Sequence, residues 1–404
     1  MIGALRGPIA GDRFAIAILA GVWAYVVVAA LYNKLNHLTE SPVSEVLLLA
    51  VTGLAGVIVL IRLPQLLEGG LGRIVIFIAP AVYLIFRDAY NGLLSVHGAS
   101  WIAIALALAA TTPRIGVLRA LALLIALTAV IALALGVLRP DLAITGIGDT
   151  GESTRQDKAL LPSIGLLAGM FPGENNLAQF LALGFPLLFI VRQWWLRLPG
   201  IAAVILAVGW SSSRGSIVTV AAVVVLLVVF ALVRHRGAAI VIERLAILGA
   251  AAVLIVLPLL RLDFYAFTSR GGIWTSSLDR WWNENPLFGL GSDWFTLQTE
   301  SGITSMLLSA THGHNQFVQT VVTGGLVLLL LTVVQFVAVA LSVRGATREE
   351  SIVTTLVLVA GFVNGWLEFV YGYVDGVFFW PVTFTVLAVV FFGRREVPFR
   401  AFAR

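Results

Sequence analysis

Long apolar stretches, separated by short polar segments, recur along the whole chain. A helix of about 20 apolar residues is long enough to cross the hydrocarbon core of a bilayer. By this criterion we expect twelve membrane spans, some of them short, at about residues 14–32, 44–61, 73–87, 100–112, 116–137, 175–191, 199–210, 215–233, 245–261, 315–341, 352–370 and 376–393. The pattern predicts an all-α polytopic membrane protein, in which residues 1–404 form a single integral membrane domain.

Composition agrees with this fold class and excludes several functions. Of the 404 residues, 59% are hydrophobic and only 12% are charged, and the mean hydropathy is +0.99, well above the range of soluble domains. The chain has no cysteine, which excludes disulfides, thiolate metal sites and a cysteine nucleophile. The net charge is +5, but the basic residues form no run with interleaved aromatics. We therefore expect a lipid bilayer as partner and no nucleic acid.

The distribution of basic residues predicts the orientation of the spans. If the N-terminus is cytoplasmic, 17 of the 26 Lys and Arg residues fall on the cytoplasmic side, with at least two in every segment there. This is the positive-inside bias, so we expect both termini in the cytoplasm. No small-residue cleavage site follows the first span, and we expect no cleaved signal peptide. The two longest loops, at about 138–174 and 262–314, then face outward, and loops of that length usually carry function or are disordered.

The second outer loop contains a pattern typical of a short amphipathic helix. From Ile273 to Trp282, apolar residues recur at the spacing of one helix face, and these include Trp274, Leu278, Trp281 and Trp282 itself. Tryptophan favours the edge of a bilayer. We expect this helix to lie in the membrane interface and to cover an outward-facing cavity.

His312 and His314 stand two residues apart where this loop re-enters the membrane, and Asn315 follows them directly. A metal site needs three or four ligands, and no cysteine or dense carboxylate cluster nearby completes a set, so we expect none. Asn315 taken alone suits a helix N-cap. A histidine at this place is either a structural hydrogen-bond donor or a general base, and the sequence leaves both open.

Three arginines, Arg214, Arg261 and Arg270, lie on the predicted outer side next to apolar spans, where the positive-inside bias disfavours them. Charged residues at such depth are functional candidates, although Arg214 also suits an anchor whose charge reaches the headgroups. Ser213 and the two serines before it precede a predicted helix N-terminus, whose free N–H groups and dipole favour an anion such as phosphate.

Further candidates are weaker. Asn175 and Asn176 begin the sixth predicted span on the outer side, where side-chain amides suit sugar hydroxyls or a phosphate oxygen. The same residues suit an ordinary turn and helix cap. Glu368 lies near the outer mouth between the last two spans. We regard all three, together with Ser213 and Asn315, as candidate substrate-binding residues.

Four segments in order carry a resemblance to a known family: GENNLAQFLALGFPLL (173–188), SSSRGS (211–216), SRGGIWTSSLDRWWNENPLFGLGSDWF (269–295) and HGHNQFVQTVVTGGLVLLLL (312–331). With them the chain resembles the O-antigen ligase and polymerase family of bacterial envelope glycosyltransferases. The resemblance implies a GT-C-like enzyme with twelve spans in the bacterial inner membrane, whose active site faces the periplasm and whose catalytic loop is residues 262–314. It also implies a glycan donor linked to undecaprenyl diphosphate, the lipid A-core oligosaccharide as the acceptor of ligases, no cofactor, and functional roles for Arg214, Arg270 and His314.

The chemistry of such a transfer matches these residue types. Arginine gives a fixed, bidentate countercharge to phosphate oxygens, and histidine titrates near neutral pH and can take a proton from an acceptor hydroxyl. We expect His314 as general base, His312 as its assisting neighbour, Arg214 and Arg270 on the diphosphate, and Arg261 as a third, weaker contact. We expect a metal-independent reaction, which inverts the anomeric centre if the acceptor attacks directly.

Three alternatives remain at this stage. A polymerase that extends the carrier-linked glycan would use the same residues. A lipid or solute transporter should show inverted repeats and interrupted helices, and the sequence contains no internal repeat that we recognise. A non-catalytic assembly protein would have little need of His314 and two costly outer arginines.

Overall fold

The apolar stretches of the sequence form helices in a computed structural model, which describes residues 8–38, 42–93, 95–145, 159–160, 164–233, 235–300, 312–343, 346–374 and 380–394. We number its α-helices along the chain: α1 Pro8–Leu35, α2 Pro42–Ile61, α3 Leu63–Glu68, α4 Leu71–Tyr90, α5 Val96–Thr111, α6 Leu118–Leu138, α7 Pro140–Ala143, α8 Glu174–Gly184, α9 Trp194–Ser211, α10 Arg214–Leu232, α11 Arg236–Leu259, α12 Ala266–Glu284, α13 Trp294–Glu300, α14 Gln316–Ser342, α15 Arg348–Gly365 and α16 Trp380–Phe392. Two 3-10 helices, Ile115–Val117 and Phe185–Ile190, directly precede α6 and follow α8.

The all-α class is confirmed. Within the described residues, the strands are two short ones, β1 Ile144–Thr145 and β2 Leu166–Leu167, which pair antiparallel. They lie in the segment predicted as the first outer loop, 138–174, for which the sequence predicts no strand. Residues 146–158 and 161–163 of that loop, and 301–311 of the second, lie outside the described part of the chain.

Seven helical stretches are long and apolar enough to cross a membrane: α1, α2, α6 with the preceding 3-10 turn, α9, α10, α11 and α14. α5 and the Val382–Phe392 part of α16 are apolar but shorter. α4 and α15 have 20 and 18 residues, with charged residues near their ends. The chain is therefore a multi-pass membrane protein. Each of the twelve predicted spans overlaps a helix, but the number that cross the bilayer remains a prediction.

The outer surfaces of these helices are apolar, as a bilayer requires. Leu60 on α2, Val225 on α10 and Leu248 on α11 have exposed fractions of 75%, 60% and 65%. Soluble monomers rarely expose contiguous apolar surface on this scale. Of the site described below, Asn315 and Glu368 are buried within the protein, whereas Arg214 is exposed.

Helix α14 is interrupted. Gly325 has φ 66° and ψ −163°, a conformation outside the helical region. Residues 286–291 pack into the break, and the backbone N–H groups of Leu290 and Leu326 donate to carbonyls across the junction, at 2.6 and 3.0 Å. Irregular backbone at membrane depth is tolerated where protein satisfies its hydrogen bonds, and the 286–291 segment does so here.

Helix α12 occupies the position where the sequence predicts a short amphipathic helix. Its buried residues include Ile273, Trp274 and Trp281. Trp282 is 64% exposed, because consecutive residues point about 100° apart around a helix. The location of α12 in a membrane interface remains a prediction.

Candidate active site

Glu368 lies in an irregular segment that follows the end of α15 at Gly365. Buried backbone groups outside a helix need other partners, and the side chain of Gln316 supplies them. Its Oε1 accepts from the N–H groups of Val370 at 2.8 Å and Tyr371 at 2.6 Å, and its Nε2 donates to the Tyr371 carbonyl at 3.0 Å. The first residue of α14 thereby fixes the segment that carries Glu368.

Asn315 connects the same segment to the histidine turn. Its side chain is fully buried, and its Oδ1 accepts from the N–H of Val318 at 3.0 Å as the N-cap of α14. Its Nδ2 donates to the carbonyls of Leu254 at 3.2 Å and Trp366 at 3.0 Å. With its amide engaged in this way, Asn315 has the N-cap role that its position in the sequence suggests.

The histidine turn is tightly folded. The N–H of Gly313 donates to Oε1 of Gln319 at 2.8 Å, and a Cβ at Gly313 would lie 3.0 Å from the Gln319 nitrogen. His314 has a left-handed φ of 46°, which is uncommon for a residue other than glycine. Left-handed residues of this kind cluster at functional sites, and here the turn directs both imidazoles toward Glu368.

Glu368 is the centre of the site. Its Oε2 lies 3.3 Å from Nδ1 of His314 and 3.7 Å from Nε2 of His312, and the two imidazole rings are 4.0 Å apart between centroids. Its Oε1 accepts from the guanidinium of Arg270. The Glu368 and Arg270 side chains are only 10% and 17% exposed. A single carboxylate therefore joins the predicted base to a predicted diphosphate ligand.

The proton arrangement follows from this geometry. An ionised carboxylate only accepts hydrogen bonds, so the bond to Glu368 requires the proton of neutral His314 on Nδ1. The lone pair is then on Nε2, for which the described residues provide no hydrogen-bond partner. Nε2 of His314 is therefore the nitrogen that is free to accept a proton.

Burial and the neighbouring charges set the titration of this group. Burial lowers the pKa of His314, and the charge of Arg270 acts in the same direction, while the hydrogen bond that His314 donates to Glu368 opposes them. Burial alone would raise the pKa of Glu368, but hydrogen bonds from His312 and His314 and the charge of Arg270 hold that pKa far below its usual range. At neutral pH, Glu368 is ionised and His314 is a free base.

A cavity beside Glu368 brings the two arginines to one place. Its lining includes Asn175, Ser213, Arg214, Arg270 and Glu368, together with Ser212, Gly215, Phe267, Thr268 and Leu367. Arg214 is exposed, and within the described part of the chain no hydrogen bond or ion pair engages it. Nε of Arg270 is buried and also lacks a described partner. Unpaired buried donors are rare in proteins, and these arginines have donors left for an anion.

The local fold explains how Arg214 and Arg270 reach this cavity. Arg214 is the first residue of α10, after Ser213, whose hydroxyl donates to Ser216 at 3.2 Å. Arg270 follows three residues with left-handed φ values, Phe267, Thr268 and Ser269, so the chain reverses sharply just before the regular part of α12. Gly271 permits this reversal, because a Cβ there would lie 2.2 Å from the Asp263 carbonyl oxygen.

Two predicted residues lie elsewhere. Arg261 forms an ion pair with Asp279 at 2.7 Å, is 70% exposed, and lines a different cavity with Trp281 and Trp282. The structure does not bring it to the Arg214 and Arg270 cavity. Asn176 neighbours Asn175 on α8 but is absent from the lining of this cavity.

The group can also hold a metal ion in principle. One donor atom from each of His312, His314 and Glu368 lies within 4.8 Å of the others. The sequence reading found no third ligand because Glu368 is 54 residues from His314. Only the fold shows that the carboxylate is adjacent.

Sequence reasoning did not single out Gln316, Gln319 or Gly313. The available signal was two glutamines in the first turns of an apolar span, since polar residues at such positions are functional or structural candidates by default. The partners of Gln316 could not be read from the chain, because the sequence pattern continues α15 through the segment in which they lie. Comparison of the sequence with protein-family models and with curated proteins finds no match.

Proposed function

We propose that this protein is a metal-independent glycosyltransferase of the bacterial inner membrane, similar to O-antigen ligases. In this proposal twelve spans place both termini in the cytoplasm, and the cavity lined by Arg214, Arg270 and Glu368 lies at the periplasmic face. The donor is a glycan on undecaprenyl diphosphate and the acceptor is the lipid A-core oligosaccharide. Arg214 and Arg270 bind the diphosphate, and His314 is the general base.

One observation carries the proposal: Arg214 and Arg270 line a single cavity with Glu368, and Glu368 contacts His314. Transfer from a lipid diphosphate needs countercharge at the leaving group and a base at the acceptor, within the reach of one substrate. Glu368 contacts one group of each kind, the countercharge of Arg270 and the base His314. The resemblance described above supplies the glycan class, which the geometry by itself leaves open.

The reaction would proceed as follows. Nε2 of His314 takes the proton of an acceptor hydroxyl while that oxygen attacks the anomeric carbon of the donor sugar. The bond from this carbon to the diphosphate oxygen breaks, and undecaprenyl diphosphate leaves with the electron pair. Arg214 and Arg270 stabilise the charge that develops on the leaving group. Glu368 holds the Nδ1 proton of His314 and stabilises the imidazolium that forms. A direct displacement inverts the anomeric centre.

The two alternative functions, polymerase and transporter, differ in how they relate to this site. A polymerase that extends the carrier-linked glycan would use the same base and arginines, so only the product separates it from a ligase. The break in α14 at Gly325 is of the kind that transporters use to form substrate sites. In this chain residues 286–291 pack into the break and satisfy it, which favours a structural role.

The test mixes purified protein in nanodiscs with an undecaprenyl-diphosphate-linked oligosaccharide and lipid A-core, with chelator present, and analyses the products by gel and mass spectrometry. We expect glycan on lipid A-core, and loss of the product by about 100-fold or more with His314→Ala. Longer glycans that stay on the carrier would identify a polymerase. No transfer, or full activity of His314→Ala, would contradict the proposed function.

A further inference from the structure

His312, His314 and Glu368 have the geometry of an incomplete metal site. Glu368 Oε2 is 3.3 Å from His314 Nδ1 and 3.7 Å from His312 Nε2, and the three donor atoms lie within 4.8 Å of one another. With bonds of about 2.0–2.1 Å, the ligand atoms of a tetrahedral ion lie about 3.4 Å apart. Small rotations of the imidazoles would place all three donors on one ion.

We propose that these three side chains bind a divalent transition metal such as Zn²⁺, and that the bound ion inhibits the transferase. The inhibitory part rests on the proposed function, whereas the binding part does not. Three protein ligands leave at least one position open on the ion.

The ligand types select the class of metal. Two imidazoles and one carboxylate suit Zn²⁺, Co²⁺, Ni²⁺ or Cu²⁺, whereas Mg²⁺ and Ca²⁺ prefer oxygen ligands. The second oxygen of Glu368 is held by Arg270, and ligating carboxylates in metal sites are normally held by such a partner. The positive charge of Arg270 also repels a cation, which favours binding that is reversible.

Inhibition follows from the tautomer of His314. In the metal-free site the proton of neutral His314 is on Nδ1 and the lone pair is on Nε2. An ion on Nδ1 uses the lone pair of that nitrogen, so the proton of the neutral ring moves to Nε2. Nε2 then donates a hydrogen bond and cannot accept the proton of the acceptor hydroxyl. The ion also uses the carboxylate of Glu368, which otherwise stabilises the imidazolium.

Binding is tested on the full-length protein in nanodiscs, without a polyhistidine tag and after treatment with a chelator. Titration with Co²⁺ should give the visible absorption bands of a low-coordinate N/O site, and Zn²⁺ should remove them while excess Mg²⁺ should not. His312→Ala, His314→Ala and Glu368→Gln should each lose the bands. His235→Ala is the matched control, because His235 is exposed at the start of α11, away from the cluster, and it should retain them. Absence of the bands, or their survival in all three variants, would overturn the site.

The inhibitory part has its own readout. Zn²⁺ should reduce the transfer rate of the wild-type and His235→Ala proteins, and EDTA should restore it. In His312→Ala, relative to its own metal-free rate, half-inhibition should need at least about tenfold more Zn²⁺, since even the loss of an outer partner weakens metal sites by about 10–100-fold. Activation by Zn²⁺, or no effect at concentrations that saturate the Co²⁺ signal, would refute inhibition. A protein that gives the Co²⁺ bands but transfers no glycan in any condition would refute the proposed function and retain the metal site.

Discussion

Glu368 acts on its partners in two ways at the scale of single residues. Its hydrogen bond raises the pKa of His314 against the effects of burial and Arg270. Its other oxygen neutralises part of the charge of Arg270. In the proposed reaction the donor diphosphate would compete with this carboxylate for the guanidinium, so the same residue would set both the basicity of His314 and the charge available to the donor.

Replacing Glu368 with Gln should therefore change the pH dependence and not only the rate. Without the carboxylate, the pKa of His314 falls further, because the negative charge that opposes the other effects is lost while burial and Arg270 remain. The acidic limb of the kcat/KM profile should move to lower pH, and kcat should fall by about 100-fold. Glu284→Gln, at an exposed ion pair with Arg280, should leave the profile unchanged. If the acidic limb of the kcat/KM profile does not move in Glu368→Gln, Glu368 does not set the pKa of His314.

The loss of activity on replacing each arginine with lysine should depend on whether that arginine lines the cavity. Lysine keeps the charge of Arg214 or Arg270 but loses the planar fork that binds two phosphate oxygens. Each lost charged hydrogen bond is worth about 1.5–3 kcal/mol, or about 10–100-fold in kcat/KM for the donor. Arg261→Lys should cost far less, because Arg261 is paired with Asp279 outside the cavity. Measurement of kcat/KM for the donor in the three variants checks this order. An equal loss of kcat/KM in Arg261→Lys would mean that Arg261 also contacts the diphosphate.

The residue types of this site were more predictable than their connections. Arg214 and Arg270 stand out because charge is costly at the ends of apolar spans, and His314 stands out because it follows His312 by two residues directly before such a span. Glu368 was only a weak candidate, since its contacts with Arg270 and His314 join positions 98 and 54 residues apart. The role of Gln316 could not be predicted, because it depends on an irregular backbone that reads in sequence as a continuation of α15.

At the scale of elements, the helices follow directly from the apolar pattern, but the breaks in them do not. A glycine pair within a long apolar run is compatible with an uninterrupted helix. The break at Gly325 arises because residues 286–291 supply the hydrogen bonds that the helix gives up there. The segment that fills the break precedes α14 by about 30 residues, so no local signal reports it.

Gly325→Ala should destabilise the protein strongly. Its φ of 66° and ψ of −163° lie in a region that is essentially restricted to glycine, and a Cβ would lie 2.2 Å from the Leu287 carbonyl oxygen. We expect a loss of about 1–3 kcal/mol or more, seen as a lower Tm in detergent. Gly249→Ala in α11 is the control, because its Cβ meets nothing within 4 Å. Equal Tm values for the two variants would mean that α14 is not held in this broken form.

At the scale of the whole molecule, the open question is how many helices cross the membrane. Seven helical stretches are long and apolar enough by themselves, whereas the pattern of apolar stretches and basic residues favours twelve spans. The two topologies differ in testable places. If only the seven cross and the N-terminus is cytoplasmic, Asn91 and Glu284 face the cytoplasm and Gln193 faces the periplasm. With twelve spans, each of these three residues lies on the opposite side.

Because the natural chain has no cysteine, single cysteines can report these sides without background. Asn91, Gln193 and Glu284 are all exposed, and Asn36, which both topologies place outside, serves as a positive control. A membrane-impermeant thiol reagent added to intact spheroplasts should label Asn36→Cys, Asn91→Cys and Glu284→Cys. Gln193→Cys should react only after the membrane is opened. Labelling of Gln193→Cys from outside, with Asn91→Cys and Glu284→Cys protected, would support the seven-span topology. Glu284 ends α12, which carries Arg270. Protection of Glu284→Cys from the reagent would therefore place the candidate active site in the cytoplasm and contradict the proposed reaction at the periplasmic face.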